Sequence, residues 1–385
     1  MRRAQHIDRL GALLSAAMAA ALAWLPFVIF KSNRIVPGDA HTLMDVLPAA
    51  TAAACIAVLL FAAAAAIGAA NARIRLAAAL FGIIAVAMAV AAAGNALTPV
   101  GNKIVRVAPG SGFWVLIISL GLMATDSITR LRPGPGLRVL FLALFVLTAG
   151  IAFAHGTFDN LSVMREYAVN ADRFAREVRQ HAWLSLGSLL AAVIVAVPIG
   201  ILCHRIPRLR SAVLGSLNLV QTIPSIALFG ILMVPLGALA NAVPAATALG
   251  IRGIGAAPAA IALFLYSLLP IVANTVAGLK RVSPDAVEAA RGMGMTRGQI
   301  LTGIELILAL PVILTGVRIV LVQNIGLATI AALIGAGGLG AFVFQGIGQT
   351  AIDLVLLGAI PIVALAFSAA VVLDALIEIM NKVAP

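Results

Sequence analysis

Residues Asp285 to Met295 read DAVEAARGMGM, a short charged, glycine-punctuated stretch between two long apolar runs. The chemistry that Glu288, Arg291 and the small residues around them offer is ion pairing and close packing against a neighbour. No catalytic set accompanies them. The chain has no G-x-x-x-x-G-K-[ST] loop to cradle a nucleotide, no H-E-x-x-H and no G-x-S-x-G. His6, His41, His155, His181 and His204 fall in loops or near the ends of apolar runs, without metal-ligand spacing. Cys55 and Cys203 lie inside apolar runs and read as small buried hydrophobes. Paired acids at membrane mid-depth would point to ion or proton coupling. Asp126, Asp353, Asp374 and Glu378 instead fall near expected helix ends, within reach of water. Arg318 differs. It follows PVILTG close to mid-depth, where it either makes a structural pair, caps a carbonyl or lines a pathway.

The elements that position these residues follow from composition. Of 385 residues 62% are hydrophobic and 10% charged, less than half the charge of a soluble domain. The apolar runs are continuous and rich in Ala, Leu and Ile, which excludes a β-barrel and predicts an all-α polytopic membrane protein. Apolar windows place ten transmembrane helices at about 10–30, 47–70, 76–97, 112–128, 137–155, 182–203, 212–240, 256–279, 307–334 and 353–377. The first is an uncleaved helix, since its apolar run is long enough to span.

The net charge of +12 does not point to nucleic acid, because the basic residues stand singly or in twos and threes between the spans. Their distribution sets topology instead. With the N-terminus inside, sixteen basic residues, Arg2 and Arg3 among them, fall on the inner side. Nine, including Arg34 and Lys103, fall on the outer side. That bias puts both termini and DAVEAARGMGM in the cytoplasm. The one long polar stretch, 157–181, reads as an external polar linker or amphipathic helix between an N-terminal membrane extension, 1–156, and a C-terminal membrane core, 182–385.

Within 283–300, Ser283 is a good N-cap, Pro284 suits the first helical position and Asp285 suits the positive end of the helix dipole. Gly292 and Gly294 end this helix, and Thr296 with Gln299 forms a capping box that starts another. A helix of about eight residues cannot hold itself together in water. It is therefore either a loop resting on its own bundle or a docking element that offers Val287, Ala290 and Met293 to a partner. Two further stretches break the helical pattern. QTIPS, with Gln221, Thr222, Pro224 and Ser225, frees a backbone carbonyl inside a span and reads as pathway lining, a hinge or a structural kink. IGAGGLG, with Gly335, Gly337, Gly338 and Gly340, fits close helix packing, a turn or an external gate.

The sequence Glu288-Ala289-Ala290, then Gly294, then Ile304 and Leu306 resembles the cytoplasmic EAA loop of ABC importer permeases, with Ile307 where that pattern has proline. HAWLSLGSLLAAVIVAVPIGIL (181–202), VQTIPSIALFGILMVPLG (220–237), FLYSLLPIVANTVAGL (264–279) and ATIAALIGAGGLGAFVFQGI (328–347) are similar, in that order, to glycine betaine/choline-type osmoprotectant permeases. The resemblance implies a five-helix type I ABC importer permease core. Val287, Glu288, Ala289, Ala290, Arg291, Gly292 and Gly294 would then form the coupling helix on an ATPase pair. It further implies a second copy of the permease or a paralogue, a periplasmic or external substrate-binding protein and a bacterial inner-membrane location. ATP and magnesium would sit in the partner ATPase, with no cofactor on this chain. The alternative is a secondary transporter driven by an ion gradient. Quaternary ammonium groups are recognised by aromatic cages, and only 5% of this chain is aromatic. High-affinity selection is therefore expected in the binding protein, with a weak, transient site in the permease.

Overall fold

A computed structural model of the chain describes residues 8–33, 36–69, 71–102 and 104–383. Arg2, Arg3, His6, Arg34 and Lys103 lie outside the described residues. The chain forms two compact units, Met1–Gly134 with Leu144–Val169, and Pro135–Ala143 with Asn170–Pro385.

The first unit contains α1 (Arg9–Trp24), β1 (Val28–Lys31), β2 (Asp39–His41), the short α2 (Leu43–Val46), α3 (Ala49–Gly68), α4 (Ala72–Leu97), β3 (Arg106–Pro109) and α5 (Ser111–Leu131). Its helices approach closely because small residues line their contacts. Ala62, Ala66, Ala79 and Ala93 are fully buried, and a Cβ at Gly11 of α1 would overlap the Ala66 carbonyl of α3. Ser15 donates to the Gly11 and Ala63 carbonyls at 2.8 Å. At one end Asp8, Arg75, Asp126 and Arg130 form a single charge network, with Arg75 2.5 Å from Asp8 and 3.0 Å from Asp126. At the other end of α1 and α5, β1 pairs antiparallel with both β2 and β3. The helix α1 thus runs from the charge network to the sheet, the same depth that α5 crosses in the opposite direction. The sheet was not expected. Its strands are only three or four residues long; β2 and β3 lie in segments read as loops, and β1 takes up the end of the first expected span, 10–30.

The helices α6 (Pro135–Ala154) and α7 (Ser162–Arg205) run through the division between units. The polar stretch 157–181 is mostly helical, as its amphipathic-helix reading has it, and after Asn170 the helix continues without a break into the following span. The backbone leaves helical geometry only at Asn170, and no Gly or Pro between Ala171 and Leu186 stops the helix from propagating.

The second unit continues with α8 (Pro207–Thr222), α9 (Ser225–Ala242), α10 (Pro244–Ala248), α11 (Ala256–Lys280), α12 (Pro284–Gly292) and α13 (Arg297–Ile300). A π-helical turn (Leu301–Glu305), α14 (Leu306–Ile330), a 3₁₀ turn (Ala331–Ile334), α15 (Gly340–Gly348) and α16 (Ile352–Val383) complete it. The centre is α11 against α14, pressed together where a Cβ at Gly278 would lie 2.9 Å from the Ala309 carbonyl and one at Gly316 3.0 Å from the Pro270 carbonyl.

Among the described residues nine helices are long and apolar enough to cross a membrane, and α1, at 16 residues, is shorter than expected because Pro26 and β1 follow it. The expected span 212–240 is two helices, α8 and α9, broken at Ile223 and Pro224. The expected span 307–334 starts ten residues earlier, since Arg297–Ile334 is one 38-residue helical run.

Candidate coupling helix and transport core

Ser283 caps α12 by accepting from the Asp285 amide at 3.2 Å. At the other end Met295 donates to the Ala290 carbonyl at 3.1 Å and Gly294 to the Arg291 carbonyl at 2.9 Å, with Gly294 at φ 81°. This pair of bonds is a Schellman motif, and its left-handed position explains the glycine at 294. Thr296 and Gln299 form the expected capping box, and the chain then rises directly into the 38-residue run. Of the residues read as an interface, Glu288, Ala289, Arg291 and Gly292 are exposed and Val287 is half-buried. Ala290 is not available to a partner. It is fully buried, because the third-last position of a Schellman helix turns inward onto the chain that follows. Met293 is 74% exposed, so Val287, Ala290 and Met293 do not form one free face. The local pair of Glu288 with Arg291 does not form, and Glu288 has no ion-pair partner among the described residues.

No kink marks Ile307, where the resemblance led one to look for a proline; helical geometry continues through it. The irregularity lies just before it, in the π turn ending at Glu305. Glu305 is 5% exposed and pairs with Arg205 at the end of α7. Sequence reasoning passed over Glu305, although a lone acid in LTGIELILAL was a signal for a buried pair.

At QTIPS, α8 stops at Thr222 and Pro224 precedes α9. Two exchanged bonds secure the break. Pro270 lacks the N–H that would bond the Tyr266 carbonyl, and Gln221 Nε2 donates to that carbonyl at 2.9 Å. Tyr266 in turn donates its hydroxyl to the Ile223 carbonyl at 2.5 Å. Thr222 bonds only its own turn, to Leu219 at 2.7 Å, and Ser225 is half-buried. The break is therefore a defined joint between α8, α9 and α11. Tyr266 was not among the residues singled out.

Between α7, α11 and α14, Asn324 donates to Ser267 Oγ at 3.0 Å and approaches the Ser185 carbonyl at 3.5 Å, all three residues being buried. Such bonds hold helices together where water cannot substitute. Arg318 pairs with Asp374, joining α14 to α16. Of the readings open for Arg318 the structure forms the pair. Asp374 is not near a helix end as expected, since α16 continues to Val383.

Gly335, Gly337 and Gly338 have φ of 76°, 73° and 86°, so IGAGGLG is a turn. Gly340 is a packing position, where a Cβ would overlap the Thr329 carbonyl. The turn is held from α7. Glu177 accepts from the Gly338 amide at 2.6 Å, and Gln180 donates to the Ala336 carbonyl at 3.0 Å. The turn and α12 lie at opposite ends of the same 38-residue run, a separation of about 55 Å by helical rise. Among the described residues no group of three or more His, Cys, Asp or Glu could hold a metal ion.

Comparison with known proteins matches residues 8–164 to "ABC transporter permease YehY, N-terminal domain" and residues 196–382 to "Binding-protein-dependent transport system inner membrane component". The chain is 45% identical over 214 residues to the osmoprotectant import permease protein OsmW of Salmonella typhimurium, covering 56% of this chain and 93% of that one. It is 38% identical to the carnitine transport permease protein OpuCB of Listeria monocytogenes, over 53% of this chain and 87% of that one. Against the glycine betaine/carnitine/choline transport system permease protein OpuCB of Bacillus subtilis it is 36% identical, over 51% and 83%. A charged helix at the foot of a 38-residue membrane run, ordered by glycines and carrying no catalytic set, is thus found in a chain that belongs to the inner-membrane permeases of binding-protein-dependent ABC importers.

Proposed function

We propose that this permease carries a small quaternary-amine osmoprotectant, such as glycine betaine, choline or carnitine, into the cell, driven by a separate ATPase that grips α12. The relatives support the substrate class, being permeases for osmoprotectants, carnitine, and glycine betaine with choline. The observation that carries the coupling is the state of α12. It is preformed by its two caps, presents Glu288 unpaired and Ala289 bare of any long side chain, and continues through the π turn into the transport core. A groove on the ATPase with a basic group would seat it. Ala290 acts from behind, anchoring the helix to its own chain.

The full assembly is then this permease with a second copy or a paralogue, two ATPase subunits holding ATP and magnesium, and an external binding protein. Closure of the ATPase pair displaces α12, the displacement passes along α14, and the joint at Gln221–Tyr266 lets α8 and α9 move against α11. The charge network at Asp8 faces the cytoplasm in this reading, consistent with the excess of basic residues on that side. The test is co-purification and uptake. Glu288→Lys is expected to insert normally but to lose both the bound ATPase and ATP-dependent choline uptake in proteoliposomes. Uptake that persists without any ATPase would overturn the reading in favour of a secondary transporter.

A further inference from the structure

The polar face of α7 near the glycine turn carries more than a structural tie. Arg173 lies with its guanidinium carbon 4.8 Å from the centre of the Phe342 ring, within the range of a cation–π contact. The Phe174 ring is 6.1 Å from Phe342 and inclined to it by 34°. Arg173 also donates to Gln345 Oε1 at 2.6 Å, and its Nε is 3.6 Å from Glu177 Oε1. The face of Phe342, backed by the Phe174 ring, together with a carboxylate and an amide oxygen, surrounds one cation with the kinds of groups that recognise a quaternary ammonium. Here the chain's own cation fills it. The other carboxylate oxygen of Glu177 is the one that holds the Gly338 amide, so the cage and the turn share a single acid.

We infer that this cage is the permease's own weak site for the quaternary ammonium headgroup, and that Arg173 is a tethered plug which the headgroup displaces. The inference rests on the substrate class proposed above. Glu177 is mostly buried, with 18% of its side chain exposed, and it loses its cation when Arg173 swings out. A mostly buried carboxylate left unpaired is costly, so a second cation is drawn in. Phe342 is fully buried beneath Arg173, so the ring becomes available only on that displacement. Because Glu177 also fixes Gly338, cation exchange in the cage and release of the turn are linked. The low aromatic content of the chain is no obstacle to a weak site, since one ring face beside a carboxylate already attracts a cation.

The test uses the full chain alone in lipid nanodiscs, with tetramethylammonium as probe and saturation-transfer NMR of its methyl protons as readout. Arg173→Ala and Arg173→Met are expected to bind the probe about ten-fold more tightly than the native chain. Arg173→Lys, which keeps the internal cation, is expected to stay near native. Adding Phe342→Leu to either gain variant is expected to abolish the gain. The neutral isostere 3,3-dimethylbutanol is expected to gain nothing. Arg173→Met retains an apolar stem against Phe342 and guards against loss of packing in the alanine variant. Unchanged binding in both variants, a gain that survives Phe342→Leu, or an equal gain for the neutral isostere would overturn the proposal. Since no ATPase is present in this assay, a failure here is distinct from a failure of the coupling reading.

Discussion

Two glycines at the end of α12 should respond to alanine with opposite signs. Gly294 holds φ 81°, and a Cβ there would meet nothing within 4 Å, so the whole cost of a side chain is backbone conformation. Left-handed geometry costs a non-glycine residue about 1–2 kcal/mol. Gly292 is the last helical residue of α12 and also faces open space, so alanine there gains up to about 1 kcal/mol of helix propensity. The two variants should therefore differ by about 1–3 kcal/mol. A nine-residue helix has no reserve of its own, and the full difference appears in how often α12 opens. Site-resolved trypsin cleavage after Arg291, with the chain in nanodiscs, reads that opening when closing is fast. Gly294→Ala should be cut about 5- to 30-fold faster than the native chain and Gly292→Ala more slowly. A Gly294→Ala rate equal to native, or a faster cut in Gly292→Ala, would refute the Schellman ending as the device that fixes this helix.

Other consequences follow from the same geometry. Tyr266→Phe keeps the ring but orphans the Ile223 carbonyl, so thermal unfolding should show a loss of about 1–3 kcal/mol, while Thr222→Val, whose hydroxyl bonds only its own turn, stays near neutral. Gly340→Ala has no room against the Thr329 carbonyl and should lower the folded yield by size-exclusion profile, whereas Gly215→Ala, with nothing within 4 Å, should not. The hydrogen bond from Arg75 holds the Asp8 carboxyl down from 3.8 to about 2, with the nearby Arg130 charge assisting against the effect of burial. The folded value is depressed, so the stability Asp8 supplies is full above about pH 4 and is lost as pH falls toward 2. Asp8→Asn should remove that part of the acid limb in a series of unfolding measurements.

The sequence disclosed most where chemistry and geometry share a local cause. Ser283, Pro284, Gly294 and the Thr296–Gln299 box each act within a few residues of themselves, so the ends of α12 could be read directly. Hydropathy placed the long spans for the same reason, since each must satisfy its own backbone. What failed depended on distant partners. Ala290 reads as an interface residue until the chain after it folds back and covers it. The break at Pro224 looks like an open joint until Gln221 donates to the carbonyl of Tyr266, 45 residues away, and the Tyr266 hydroxyl donates back to Ile223. The polarity of 157–181 is local and allows an amphipathic helix to be read there, while the continuity of that helix with the next span and its hold on the glycine turn are not local. Strands of three or four residues carry too little periodicity to separate from loops.

The central claim, that a separate ATPase grips the exposed face of α12, can be tested by cross-linking. Both native cysteines, Cys55 and Cys203, are buried, so an introduced thiol reports its own position. Ala289→Cys is expected to cross-link to the co-purified ATPase, with a yield that changes when ATP is added. Ala290→Cys, one residue on but turned inward, and Asp159→Cys, in the exposed polar stretch read as external, should not. A cross-link of equal yield at Asp159→Cys, or none at Ala289→Cys in an assembly that still imports choline, would contradict the account.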